Sequence, residues 1–158
     1  MMKRVFDTIA RAAIMATLLS IAVSCGDDDD ELKQYLTQGN EERPAWVTGD
    51  VYEIYEYTMS VQVTLQSVLL PYVSEEDLMC AVVGDEVRAV TNMNSTGGIV
   101  YFPLGIAGNS SNGKVTLKYY SARLKRIYTL EDWMPFDPGM PPTQDGEPYV
   151  VNFIPNQE

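Results

Sequence analysis

From residue 55 to residue 65 apolar and polar positions alternate without a break. Tyr55, Tyr57, Met59, Val61, Val63 and Leu65 share one side, and Glu56, Thr58, Ser60, Gln62 and Thr64 the other. A period of two in β-branched and aromatic residues predicts a half-buried strand with one face on a core. Leu78–Val83 (LMCAVV) is wholly apolar and bounded by polar turns, which predicts a buried strand. Gly84-Asp85 then turns the chain in a tight hairpin toward residues 87–91. Residues 99–107 predict another strand, with Pro103 marking an edge or a bulge because proline has no N–H for the ladder. Val115, Leu117 and Tyr119 alternate with Thr116, Lys118 and Tyr120 in a further strand, and residues 127–130 form a short one. Residues 131–148 hold five of the nine prolines and predict a long irregular loop. A last strand follows at 149–154. No amphipathic helix of ten or more residues is expected after Ala45. Short strands punctuated by turns predict an antiparallel sandwich or barrel.

Several segments resemble a β-sandwich module recurrent in secreted and surface proteins of Bacteroidetes. That module carries Asp-x-x-x-Ala-Phe-Val-Gly-Asp-Glu-x-Arg-Gly-Val. Here residues 77–90 read Asp77-Leu78-Met79-Cys80-Ala81-Val82-Val83-Gly84-Asp85-Glu86-Val87-Arg88-Ala89-Val90, with Val82 in place of the aromatic and Ala89 in place of the Gly. Tyr101-Phe102, Gly108-Asn109 and Tyr119-Tyr120 match its later strands and turn. The resemblance implies a surface or interaction unit without catalytic activity. It also implies a structural ion pair between Asp77 and Arg88. The expected fold is all-β, an antiparallel immunoglobulin-like β-sandwich.

Composition narrows the chemistry. The chain of 158 residues has no His, two Cys, and 22 Asp plus Glu against 11 Lys plus Arg. Without His there is no His-based triad, His-ligated zinc or His general base. A net charge of −11 opposes a phosphate backbone, so no nucleic-acid partner is expected. Cys80 lies inside the apolar run and reads as a small buried hydrophobe. Carboxylate pairs such as Asp85/Glu86 and Asp137/Asp145 are abundant, but nothing in the sequence brings two of them to one cleft, as a glycosidase needs. The loop between Asp137 and Asp145 lacks the regular spacing of a calcium motif. No catalytic residue, metal or cofactor is expected.

The N-terminus carries the address. Lys3, Arg4 and Arg11 flank an apolar run at residues 12–23 that is shorter than the roughly 20 residues needed to span a bilayer. This is the pattern of a secretory signal over residues 1–24. Ala22-Val23-Ser24-Cys25 resembles the bacterial lipobox, which implies acylation of Cys25 and a membrane partner reached through that lipid anchor. Asp27, Asp28, Asp29 and Asp30, followed by Glu31, resemble the acidic export signal of Bacteroidetes lipoproteins. That resemblance implies an outer-membrane location facing the extracellular side. Residues 25–44 read as an acidic flexible tether, since adjacent carboxylates repel and stay solvated. The domain is expected at residues 45–158.

Three aromatics are candidates for binding. Trp133 stands in the predicted long loop, where it either contacts a ligand or caps the core with Phe136. Tyr120 and Tyr128 fall on outward strand positions, where cross-strand packing is the competing role. The expected function is a lipid-anchored cell-surface binding module with a glycan or protein ligand. The alternative is a structural subunit or spacer of a surface assembly.

Overall fold

The structure, a computed structural model, describes residues 27–110 and 113–155. Two helices come first, α1 (Asp27–Leu36) and α2 (Val51–Ile54). The strands are β1 (Tyr57–Leu65), β2 (Leu78–Val83), β3 (Glu86–Asn92), β4 (Asn94–Thr96), β5 (Ile99–Gly108), β6 (Lys114–Ser121), β7 (Arg126–Pro135) and β8 (Tyr149–Val151). They form two sheets, ordered β4-β5-β1-β8 and β3-β2-β6-β7. Neighbouring strands run antiparallel except β1 and β8, which are parallel. The chain is an all-β sandwich of two packed, largely antiparallel sheets.

The alternation in β1 decides its inward face: Met59, Val61, Val63 and Leu65 are buried. Phe102, Leu104 and Ile106 of β5 join them from the same sheet. Met79, Ala81 and Val83 of β2 and Val115, Leu117 and Tyr119 of β6 meet them from the other. Tyr119 is the hub. Its ring meets Phe102 edge-on at 5.7 Å between centroids and Phe153 at 5.8 Å. Such pairs add about 0.5–1.5 kcal/mol each beyond the area they bury. Pro103 is tolerated because the pairing of β4 with β5 stops at Tyr101, leaving β5 a sheet neighbour on one side only from there.

The C-terminal segment is clasped by one buried side chain. Gln66 Nε2 donates to the Ile154 carbonyl at 3.1 Å, and Ile154 N donates to Gln66 Oε1 at 2.9 Å. The amide thus imitates a ladder pair and holds β8 beside the end of β1.

Two expectations change. First, β7 continues through Pro135, so residues 131–135 belong to a strand rather than to the long loop. Second, the segment read as a flexible tether is docked. An Asp-rich sequence opens α1 at the end where the helix dipole favours negative charge. Leu32, Tyr35 and Leu36 then pack against the core. Beyond α1, Gly39 N donates to the Leu124 carbonyl at 2.7 Å and Glu41 N to the Lys125 carbonyl at 3.0 Å. Arg126 Nε returns a bond to the Thr37 carbonyl at 2.7 Å. Residues 37–50 form a strap over the second sheet. On β2, Leu78, Cys80 and Val82 alternate with the core-facing residues yet are buried as well, Val82 beside Trp46. Residues 1–24 and Cys25 lie outside the described residues.

Candidate functional site

Both tyrosine candidates are largely buried. Tyr128 opposes Tyr119 across β6 and β7, so it faces the core rather than solvent. The two rings stack at 5.8 Å with 20° between their planes. The Tyr128 hydroxyl donates to the Tyr35 carbonyl at 2.6 Å, and burial pushes its phenol up to about 12. Tyr120 does face outward; it is only 5% exposed and lies at the floor of an open cavity of about 610 Å³ that it lines with residues 38–43 of the strap and Lys125. The strap was illegible from the strand pattern, so its place beside Tyr120 was missed.

Trp133 sits on β7, half-buried against the core, with its ring edge-on to Tyr149 of β8 at 6.4 Å. It closes the seam between the two sheets. The cause is a bulge. Leu117 pairs with Leu130 and Val115 with Met134, so Glu131, Asp132 and Trp133 stand against Thr116 alone. Asp132 absorbs the excess in a left-handed conformation, φ 51°, which Asp tolerates better than most residues.

Asp77 and Arg88 are not partners. Asp77 precedes the start of β2, whereas Arg88 lies at the bulge opposite Ala81 and Val82. Some four to five strand residues separate them, roughly 15 Å at a strand rise of about 3.3 Å. Asp77, fully buried, accepts from Tyr119 Oη at 2.7 Å, Ala122 N at 2.8 Å, Ser74 Oγ at 2.9 Å and Ser74 N at 3.1 Å. Arg88 is the extra residue of the β2–β3 bulge, and the bulge aims its side chain across the sandwich. Its guanidinium lies 3.6 Å from the Tyr55 ring centroid, and Nη1 donates to the Ala107 carbonyl of β5 at 3.1 Å. Its Nε is 2.8 Å from Glu86 Oε2, but the N–H is misaligned, so this contact is ionic rather than a hydrogen bond. The Tyr55 hydroxyl donates to the same carboxylate at 2.6 Å. That bond first, and the nearby Arg88 charge with it, holds Glu86 below its ordinary value.

The open site lies elsewhere, on the outer face of the second sheet. An open cavity of about 610 Å³ is bounded by Trp46 of the strap, Lys118 of β6, Thr129, Glu131 and Asp132 of β7, and the Gly84-Asp85 turn. Trp46 is half-buried. Lys114 Nζ holds the Asp132 carboxylate at 3.3 Å from the adjacent strand. Three carboxylates and one ammonium line the cavity, together with Thr116, Thr129, Val82 and Val87. Strand alternation could have placed Thr116, Lys118 and Thr129 on one outer face. Nothing in the strand pattern pointed to Trp46, a lone aromatic in an extended segment after Pro44.

Cys80 faces the same outer side but is fully buried, and burial pushes its thiol up to about 12 despite the Lys118 charge nearby. It is not a nucleophile at neutral pH. Among the described residues no group of three His, Cys, Asp or Glu side chains could hold a metal ion, and no helix is long and apolar enough to cross a membrane. No family model, curated protein or solved structure matches the chain.

Proposed function

We propose that the chain is a lipid-anchored binding module displayed at the cell surface, with the groove beside Trp46 as its binding surface and a glycan or protein as its ligand. Acyl chains on Cys25 hold it in the outer membrane, and Asp27, Asp28, Asp29 and Asp30 direct it to the extracellular side. It belongs with the Bacteroidetes-type surface modules that residues 77–90 resemble. Its sandwich is immunoglobulin-like. The order β3-β2-β6-β7 corresponds to C′-C-F-G of that fold and β4-β5-β1 to D-E-B, with β8 beyond β1 where that fold carries its first strand.

The observation that carries the binding role is the groove: Trp46 shares one open cavity with hydrogen-bonding side chains of β6, β7 and the Gly84-Asp85 turn. A spacer would need no such surface. The test uses intact cells that express the chain, exposed to fluorescent glycan and protein libraries. Ligand retained by these cells should be lost from cells carrying Cys25→Ala, while the delipidated chain keeps the affinity in solution. If antibody reaches the chain on intact cells and no library member is retained above cells lacking it, the binding role is wrong.

A further inference from the structure

We infer that the groove beside Trp46 takes an uncharged sugar ring, stacked on the indole and hydrogen-bonded by outward side chains of β6 and β7. This deepens the binding role proposed above and rests on it. A pyranose presents a flat patch of C–H groups edged with hydroxyls. An indole offers the matching flat apolar surface, and half-buried Trp46 follows a stretch of strap hydrogen-bonded to the domain through Gly39, Glu41 and Arg43.

The charges select the class. Glu131, Asp132 and Asp85 can only accept hydrogen bonds, Lys118 can only donate, and Thr129 can do both. A sugar hydroxyl both donates and accepts, so a polyol can satisfy all of these at once. An acidic sugar would bring its carboxylate against Asp85 and Glu131, and against Asp132, which Lys114 already pairs. A compact cation would meet Lys118, which pairs with Thr129 in the middle of the face. An uncharged polyol is the class that neither charge opposes.

The β7 bulge fits this role. Because three residues stand against Thr116, Trp133 turns inward to Tyr149 while Glu131 and Asp132 line the groove. A regular strand would have kept strict alternation through these positions.

The mature chain from residue 25, carrying Cys25→Ala, is titrated calorimetrically with cellohexaose, chitohexaose, hexagalacturonate and hexalysine. At least one of the two uncharged oligosaccharides should bind, and neither charged probe should. Trp46→Ala should weaken that binding at least tenfold. Thr129→Val keeps a β-branched strand residue, so it should weaken binding severalfold at an unchanged melting temperature. The inference is overturned if neither uncharged oligosaccharide binds at millimolar concentration, if both variants bind like the parent, or if hexalysine or hexagalacturonate binds as tightly. Should the sugars fail while intact cells retain a protein ligand, the sugar class is wrong and the binding role stands. Should both experiments fail, the groove is not a binding site.

Discussion

Asp77→Ala should be among the most damaging single substitutions in this domain. The carboxylate is fully buried and receives four donors from three segments: Ser74 in the turn before β2, Tyr119 on β6, and Ala122 in the β6–β7 turn. No cation approaches it among the described ion pairs. Its charge is met entirely by hydrogen bonds, which are stronger to an ionised acceptor than to a neutral one. Truncation leaves the Tyr119 hydroxyl without its partner in the core, at a cost of about 1–3 kcal/mol. Ser74 and Ala122 are only partly buried, so each lost N–H bond adds about 1 kcal/mol. The total, about 3–5 kcal/mol, is a large share of the roughly 5–15 kcal/mol by which domains are stable. It corresponds to a fall in melting temperature of about 10–20 °C.

Urea titration of the parent, Asp77→Ala, Asp77→Asn, Tyr119→Phe and the Asp77→Ala/Tyr119→Phe double variant measures this directly. Asp77→Asn keeps the shape but points an N–H₂ group at donors, so it should lose about 2–4 kcal/mol. Tyr119→Phe removes a donor and leaves three, and should lose about 1–2 kcal/mol. The double variant should lose less than the sum, because both single changes break the same bond. If Asp77→Ala stays within about 1 kcal/mol of the parent, or the two losses simply add, Asp77 is not the fastening point described here.

Three other outcomes follow from the same contacts. Glu86 lies below its ordinary value of 4.5, so its contribution is present above that pH and fades as pH falls through the lower folded value; Glu86→Gln should therefore destabilise the domain at pH 7 and much less at pH 3, and equal losses at both would refute the assignment. A Cβ on Gly39 would sit 2.6 Å from the Lys125 carbonyl oxygen, so Gly39→Ala should cost about 1–3 kcal/mol and raise amide exchange at residues 37–43; unchanged exchange there would show that the strap tolerates the methyl. Trp133→Ala should lower stability by about 1–3 kcal/mol through the seam with Tyr149 while leaving oligosaccharide binding within twofold of the parent, and a selective loss of binding would return Trp133 to the ligand site.

The sandwich was legible because its signals are local. Alternation over residues 55–65 identified the inward residues of β1, and the apolar run of β2 between polar turns identified a strand buried on both faces. The docking of residues 37–43 was not legible. The strap is rich in residues that avoid regular structure, and its order comes from partners about 80–90 positions away, such as Leu124, Lys125 and Arg126. The same limit hid the partner of Asp77. Motif spacing placed Asp77 and Arg88 on one hairpin, but a strand pairing and a one-residue bulge decided that they sit at opposite ends of it. The extended β7 defeated the proline count. Its bulge accommodates Asp132 at positive φ, after which the ladder resumes at Met134.

The strap also changes how anchor and site relate. As a slack tether, residues 25–44 would leave the domain free to tumble at a distance from the membrane. Instead α1 begins at Asp27 and the chain stays bonded to the domain through Glu41, with Arg43 reaching the Glu76 carbonyl at 2.7 Å. With the proposed lipid on Cys25, Gly26 alone intervenes before the helix, a span of about 7 Å between Cα atoms at the limit of extension. The α1 end of the sandwich is then held close to the bilayer. A chain this acidic is repelled by anionic headgroups, so under the proposed acylation close tethering would be a constraint imposed by the acyl chains and not an attraction of the surface. The same strap supplies Trp46, one wall of the groove. On the proposed function a single segment would connect the lipid anchor to the groove, and loosening it at Gly39 would disturb both.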